Sequence, residues 1–240
     1  AFAIFNLSRS IGLNKKESLT CSLIFLIIPA VSLSSFILST DIFLLLFWTL
    51  ALNEFVKIIK KGSIKNFVLL GIFLGLAFLS KYAAIYFIVS IIVYILIDKS
   101  FRVFLLEKYK YFSLSLLCVF LILLPNIIWN LNNSWLTLQH TSDNANFSNA
   151  KIDFYRGLEF LVIQILMIGP FLVFGFMLNL KNIQIDKFSK ILLVFSLPIL
   201  LIVFLEAVFV RANANWAAPA LISIFIFMFI NTGNGKILGK

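Results

Sequence analysis

The sequence predicts an all-α protein whose helices cross a membrane as a polytopic bundle. Of its 240 residues, 62% are hydrophobic and only 12% are charged, and the mean hydropathy is +1.06. Charged residues make up roughly a quarter of a typical soluble domain, so a soluble fold of this length would leave too much apolar surface in water. We therefore treat residues 1–240 as a single transmembrane domain in a lipid bilayer.

The apolar runs divide into about eight spans, since a membrane-crossing helix needs about 20 largely apolar residues. The opening stretch AFAIFNLSRSIG lacks the features of a signal peptide and resembles the end of a helix. We therefore expect the sequence to be a fragment without its first span or spans and first outer loop. One boundary is ambiguous, because residues 66–97 form either one long helix or two. The eight candidate spans are 18–38, 42–56, 66–80, 82–97, 111–129, 157–179, 190–210 and 216–230.

The basic residues favour two helices joined by a turn at FLSKYAA. With that turn, one side of the membrane collects all but four of the 20 cations, whereas one long helix would place two lysine-rich loops on opposite sides. Loops rich in Lys and Arg mark the cytoplasmic side, so both ends of the chain are predicted inside. The net charge of +10 is then a topology signal and does not indicate nucleic-acid binding. The four cations left outside are Lys81, Lys151, Arg156 and Arg211.

The outer connections are chemically mixed, unlike the cytoplasmic ones. They carry both charge signs, amides, tryptophans and the single histidine, His140. A ring of varied polar groups on one face predicts a site at the boundary between lipid and water. A transport pathway would instead place ionisable residues near the middle of helices.

Each outer residue also has a plainer structural interpretation. Asp41 would N-cap a helix starting at Ile42, and Lys81 would extend its ammonium to the interface. His140 in an exposed loop would be solvated, and Asn215 would cap the last helix. The tryptophans would be ordinary interface anchors, namely Trp129, Trp135 and Trp216. The convergence of these residues on one face favours the functional interpretation.

Two further patterns concern packing. GIFLG, residues 71–75, fits the pattern of small residues four apart that lets helices approach closely. Cys21 and Cys118 lie inside apolar runs, which is typical of small buried side chains.

Four motifs occur in order: STDIFLLLFWTLAL, GIFLGLAFLSKYAA, PNIIWNLNNSWLTLQHTSDNANF and RANANWAAPA. Together they resemble the bacterial family 39 glycosyltransferases, of the protein O-mannosyltransferase and lipid A aminoarabinose transferase type. The resemblance extends over about residues 8–230. It implies a GT-C fold in the bacterial inner membrane, with an active site that faces the periplasm.

The resemblance also implies a reaction. Such enzymes take a sugar from a polyprenyl-phosphate carrier and pass it, with inversion, to a hydroxyl on protein, lipid or glycan. Lys81 and Arg211 would stabilise the leaving phosphate. The general base of the family is an Asp in the first outer loop, which we expect to be missing here, so no residue is assigned that role.

The resemblance gives the remaining candidates their roles. Asp41 would orient the sugar or support the phosphate site. His140, Asp143 and Asn144 would contact sugar, phosphate or a divalent metal, with His140 and Asp143 as the metal ligands, although one His and one Asp make a weak metal signature. The other candidates for substrate binding are Tyr82, Asn130, Asn215 and Trp216.

Two other classes of function stay open. A flippase or transporter would need polar residues at the bilayer midplane and inverted repeats, and the sequence displays neither. A non-catalytic assembly subunit would fit a chain that lacks the loop bearing the base.

Overall fold

The computed structural model describes residues 1–32, 39–145, 152–183 and 185–232, without the side chains of residues 140–142, 144 and 145. All regular elements in this part of the chain are helices, which confirms the all-α prediction. Short 3₁₀ helices lie at Tyr82–Ala84, Leu180–Asn182 and Ala214–Ala217. The α-helices are α1 (Phe2–Ile11), α2 (Lys15–Ile27), α3 (Pro29–Ser32), α4 (Thr40–Lys61), α5 (Ile64–Ser80), α6 (Ile85–Ile97), α7 (Lys99–Glu107), α8 (Tyr109–Asn132), α9 (Leu136–Ala145), α10 (Phe154–Ile168), α11 (Pro170–Leu178), α12 (Lys187–Val194), α13 (Leu197–Phe209) and α14 (Ala218–Asn231).

Helices α4, α5 and α6 run up and down, so the chain does turn at Lys81. Asp41 at the start of α4 contacts Lys81 just after α5, while Glu54 near the end of α4 accepts a hydrogen bond from Asn66 near the start of α5. These two helices are therefore antiparallel. Helix α6 then follows α4 in the same direction, because edge-to-face ring pairs join Trp48 to Phe87 and Phe55 to Tyr94.

Basic residues gather at the end of the bundle opposite Lys81, which we call the lysine-rich end. The Lys190 ammonium lies 2.8 Å from a carboxylate oxygen of Asp98, and the Lys60 ammonium lies 4.8 Å from the centre of the Phe188 ring. These contacts bring the connection α4–α5, the connection α6–α7 and the start of α12 together. The structure thus reproduces the one-sided distribution of charge on which the predicted topology depended.

The glycines of GIFLG hold α5 against α8, as the small-residue pattern predicted. A Cβ added at Gly71 would lie 2.3 Å from the carbonyl oxygen of Ser115, and one at Gly75 would lie 3.0 Å from Ile122. The Ser115 hydroxyl also donates to the carbonyl of Phe67 at 2.8 Å. Because only glycine allows this approach, α5 and α8 run side by side toward the Lys81 end.

Helix α14 forms the centre of the bundle, since it is buried on all sides from Ala218 to Phe227. The outer helices leave large apolar side chains exposed, for instance Leu116 and Phe120 of α8, each more than half exposed. Such an apolar outer surface is expected where lipid replaces water.

The predicted count of eight spans is wrong for the described residues. Four helical stretches there are long and apolar enough to cross a membrane: α4, α8, α12 continued by α13, and the 3₁₀ helix Ala214–Ala217 continued by α14. The number is six if each of two bent pairs is also one span. The predicted span 157–179 is bent by 92° between α10 and α11, because Gly169 has a φ of 104° and Pro170 has no N–H to continue the ladder. The predicted span 18–38 breaks where α2 ends before Pro29, and residues 33–38 lie outside the described part. Helix α5 has only 17 residues, and α6 meets α7 at 112°.

Candidate functional site

The carboxylate of Asp41 is the hub of a polar cluster at the Lys81 end. One of its oxygens lies 2.6 Å from the Lys81 ammonium, and the other accepts a hydrogen bond of 2.9 Å from the Asn215 side chain. The side chains of Asp41 and Lys81 are only 17% and 26% exposed, so water screens this pair little. Helix α4 begins at Thr40 with Ser39 at its N-cap position. Asp41 therefore joins three segments of the chain and does not occupy the predicted N-cap position.

The loop between α5 and α6 positions Lys81 and Tyr82. Lys81 has an extended backbone, with φ −164° and ψ 136°, which ends α5 and directs the chain into the 3₁₀ helix. Lys81 thus sits at a sharp corner between two packed helices. Its ammonium is held by Asp41, so the interpretation as a side chain that merely reaches for the interface does not apply.

Tyr82 joins this corner to α8 and α9. Its hydroxyl donates to the side-chain oxygen of Asn126 at 3.2 Å and is 2.8 Å from the Thr137 hydroxyl. Asn130, one helical turn after Asn126, donates to the Asn126 carbonyl oxygen at 2.9 Å and accepts a hydrogen bond from Thr137. The predicted candidates Tyr82 and Asn130 therefore belong to one network, which Asn126 and Thr137 complete.

A left-handed turn places α9 over this network. Ser134 and Trp135 have φ values of 52° and 58°, and such values are strained for a bulky side chain. The carbonyl of Asn130 accepts backbone N–H bonds from Asn133 and Trp135, which stabilises the turn. Trp129 and Trp135 are each about half exposed, and their role as interface anchors stays a prediction.

A cavity of about 780 Å³ lies between these groups. Its walls are largely apolar, including Phe78, Leu79, Ile85 and Leu136, and Trp216 forms another part of the lining. The polar groups of the lining come from five separate segments, namely α4, the corner between α5 and α6, α8, α9 and α13. They are Thr40, Ser80, Lys81, Tyr82, Tyr86, Asn126, Thr137 and Glu206.

Six of these polar residues were not predicted as candidates: Thr40, Ser80, Tyr86, Asn126, Thr137 and Glu206. Asn126 stands four residues before Asn130, a spacing that places both on one helix face. Glu206 is the single charged residue in the apolar run LIVFLEAVF, and an ionisable residue within such a run is itself a signal of function. Tyr86 and Thr137 carry no such signal.

Arg211, predicted to act with Lys81, lines another cavity. That cavity has a volume of about 520 Å³ and also includes Arg156 and Glu159, which belong to α10. The two cavities are neighbours because helix α13 contributes Glu206 to the first and Ala207 to the second. The structure thus gathers Asp41, Lys81, Asn215 and Trp216 in one region and places Arg211 across a wall from it.

The predicted metal ligands are only partly described. Asp143 lies on α9 and is exposed, whereas the side chains of His140 and Asn144 lie outside the described residues. Within the part of the chain that is described, no three His, Cys, Asp or Glu side chains come close enough together to hold a metal ion. Metal binding by His140 and Asp143 stays a prediction.

Comparison with known proteins gives two matches. The sequence model of the family described as dolichyl-phosphate-mannose-protein mannosyltransferase matches residues 1–129, which include Asp41 and Lys81. The lipid A galacturonosyltransferase RgtD of Rhizobium johnstonii is 30% identical over 202 residues, which cover 83% of this chain and 42% of that protein. The chain therefore spans less than half the length of this relative. No solved structure matches.

Proposed function

Because the chain belongs to the dolichyl-phosphate-mannose-protein mannosyltransferase family, we propose that it forms the donor-binding part of a membrane glycosyltransferase. The enzyme takes a sugar from a polyprenyl-phosphate carrier and passes it, with inversion, to a hydroxyl acceptor. It lies in the bacterial inner membrane, with the Lys81 end facing the periplasm.

The observation that carries the proposal is that Lys81, held by Asp41, lines a largely apolar cavity. A polyprenyl-phosphate sugar has an apolar chain and an anionic head, and needs both environments next to each other. The apolar walls receive the first isoprene units, while Lys81 faces the phosphate. An ammonium has three N–H donors, so Lys81 retains donors for the phosphate after one is given to Asp41.

Lys81 acts on the transition state through charge. As the bond between the sugar and the phosphate breaks, negative charge grows on the phosphate oxygens, and a fixed cation stabilises that charge without a proton transfer. Asp41 and Asn215 hold Lys81 in place, which lowers the reorganisation needed during the reaction. Tyr82, Asn126 and Glu206 line the cavity and supply hydrogen-bonding groups for the sugar hydroxyls, while Asn130, which is buried, holds Asn126 and Thr137 in place. No residue of this chain is proposed as the base that deprotonates the acceptor.

The proposal is tested with the purified full-length protein in lipid nanodiscs. The donors are radiolabelled polyprenyl-phosphate mannose and polyprenyl-phosphate galacturonic acid, and loss of sugar from each is followed in the presence of a membrane extract. Removal of one charge-stabilising donor typically costs about 10² to 10³ in kcat, so Lys81→Gln is expected to slow the reaction by about 100-fold.

Lys57→Gln is the matched control, because Lys57 also lies 2.6 Å from a carboxylate, that of Glu54, but at the lysine-rich end. Its turnover is expected to equal that of the wild type. Equal turnover of Lys81→Gln and wild type would contradict the phosphate site. Flux of the donor across the bilayer without loss of sugar would favour a transporter.

A further inference from the structure

Glu206 is a carboxylate without a partner in the donor cavity, as we call the cavity of about 780 Å³ that Lys81 lines. It is the single charged residue of the apolar run LIVFLEAVF on α13, and it is partly buried. Among the residues that the structure describes, it forms no hydrogen bond and no ion pair. An unpaired ionisable group in a membrane helix is costly and points to a role in function.

The cation of the donor cavity is already in use. Lys81 is the one cation among the described residues of its lining, and its ammonium lies 2.6 Å from the carboxylate of Asp41. Arg211 lines a different cavity. Because the charges of Lys81 and Asp41 offset each other, Glu206 leaves the donor cavity with a net negative charge. A donor phosphate at Lys81 then adds a further negative charge.

Glu206 faces the sugar of a bound donor, because neither of the other two parts of the donor suits a carboxylate. The phosphate is repelled by Glu206 and attracted by Lys81. The isoprene chain would deprive the carboxylate of hydrogen bonds, which is costly, and it has apolar walls of its own at Phe78 and Leu79. Sugar hydroxyls, in contrast, donate the hydrogen bonds that a carboxylate accepts.

A sugar that carries its own carboxylate finds no counter-charge in this arrangement. A uronic acid would bring a second anion into a cavity whose one cation already serves Asp41 and the phosphate. Its carboxylate would also meet that of Glu206, and like charges in a partly buried site repel with little screening. A neutral sugar has a CH₂OH group at the same carbon, which donates a hydrogen bond to Glu206 instead.

We propose that Glu206 is a specificity-determining residue that excludes uronic acids from the donor cavity, so that the transferred sugar has no carboxylate. This inference rests on the proposed function and narrows the chemical class of its donor. Glu206 selects by repelling the wrong sugar as well as by binding the right one, and both effects contribute to specificity.

Donor binding to the full-length protein in phosphatidylcholine nanodiscs tests the inference without any acceptor. Two pairs of radiolabelled polyprenyl-phosphate donors are compared: mannose with mannuronic acid, and galactose with galacturonic acid. The members of each pair differ only at C6 of the sugar. Repulsion between Glu206 and the phosphate is common to all four donors, so it cancels in the ratio of two dissociation constants. Each neutral donor is expected to bind roughly 10-fold to 100-fold more tightly than its uronic partner.

Three variants assign this ratio to the charge of Glu206. Glu206→Gln keeps the shape and removes the charge, so the ratio should fall to about one through a gain in affinity for the uronic donors, which a misfolded protein could not produce. Glu206→Asp keeps the charge and should keep the preference for neutral donors. Glu107→Gln, which removes an exposed carboxylate at the lysine-rich end, should leave the ratio of the wild type unchanged.

Three outcomes would overturn the inference. They are equal binding of neutral and uronic donors to the wild type, an unchanged ratio in Glu206→Gln, and the same change of ratio in Glu107→Gln. The proposed function fails differently, because it is judged by loss of sugar from the donor. Selective binding without loss of sugar would contradict the proposed function alone, and loss of sugar with equal binding would contradict this inference alone. Binding of none of the four donors would contradict both.

Discussion

The ammonium of Lys81 lies 2.6 Å from the carboxylate of Asp41, although 40 residues separate them in the chain. The contact closes the hairpin of α4 and α5 at one end, while Glu54 and Asn66 close it at the other. The same pair carries the proposed phosphate site, so structure and function depend on one contact there.

Asp41→Asn should reduce both stability and turnover. The amide keeps the shape but leaves the mostly buried ammonium of Lys81 without its counter-charge. Because the pair is neither fully buried nor exposed, we expect a loss of about 1–3 kcal/mol in the free energy of unfolding, between the values typical of surface and buried pairs. Thermal unfolding in detergent measures the stability, and loss of sugar from the donor measures turnover.

Asp98→Asn is the control for Asp41→Asn, because Asp98 pairs with Lys190 at 2.8 Å and is similarly shielded, but at the lysine-rich end. It should lower stability and leave turnover per folded molecule unchanged. A parallel loss of turnover in both variants would mean that Asp41 acts only through stability.

Asn215→Asp should impair the enzyme more than Asn215→Ala. Asn215 donates to Asp41 across 174 residues of sequence, and alanine removes that hydrogen bond. Aspartate instead places a second carboxylate against the first, and like charges at this distance repel. Turnover of the two variants is compared at equal expression.

The double variant Asp41→Asn with Asn215→Asp checks the cause of that difference. It restores one carboxylate and one amide, so it should recover part of the turnover lost in Asn215→Asp. Without any recovery, repulsion between carboxylates would not be the cause.

Tyr82→Phe should loosen α9 without unfolding the bundle. The Tyr82 hydroxyl contacts Asn126 and Thr137, and a single hydrogen bond contributes about 1 kcal/mol. Amide exchange of residues 136–145 should accelerate about fivefold, and the KM for the donor should rise because this network borders the cavity. Tyr155→Phe is the control, since Tyr155 is 76% exposed. Equal exchange in the two variants would show that Tyr82 does not hold α9.

The sequence predicted which residues share an end of the bundle, because the distribution of cations determines the direction of each helix. Asp41, Lys81 and Asn215 were placed at one end by that reasoning, and Asp41 contacts both of the others. Topology gives no position around the bundle axis, however. It therefore could not tell that Arg211 faces a different cavity from Lys81, since that depends on how α10 and α13 pack.

The span count failed for a local reason. Residues 157–179 form a continuous apolar run. The bend is caused by Gly169 and Pro170, and a hydropathy scale does not record that these two residues break helices. The pair was visible in the sequence as a helix-breaking signal. Thr137 is different, because it acquires its role from the left-handed turn at Ser134 and Trp135, which the sequence gives no reason to expect.

Gly71→Ala should destabilise the bundle, because α5 and α8 approach closely at that residue. The added methyl would lie 2.3 Å from the Ser115 carbonyl oxygen and 2.7 Å from Cys118, so the two helices must move apart. Overpacking of this kind costs about 1–3 kcal/mol, and thermal unfolding in detergent measures the loss.

Gly175→Ala is the control, since its methyl meets its nearest neighbour, Thr232, only at 3.7 Å, and alanine favours helix formation over glycine. Equal melting temperatures for the two variants would mean that the close approach of α5 and α8 contributes nothing to stability. A lower melting temperature for Gly71→Ala alone, together with a higher KM for the donor, would connect this helix contact to the cavity, because α5 ends at Lys81.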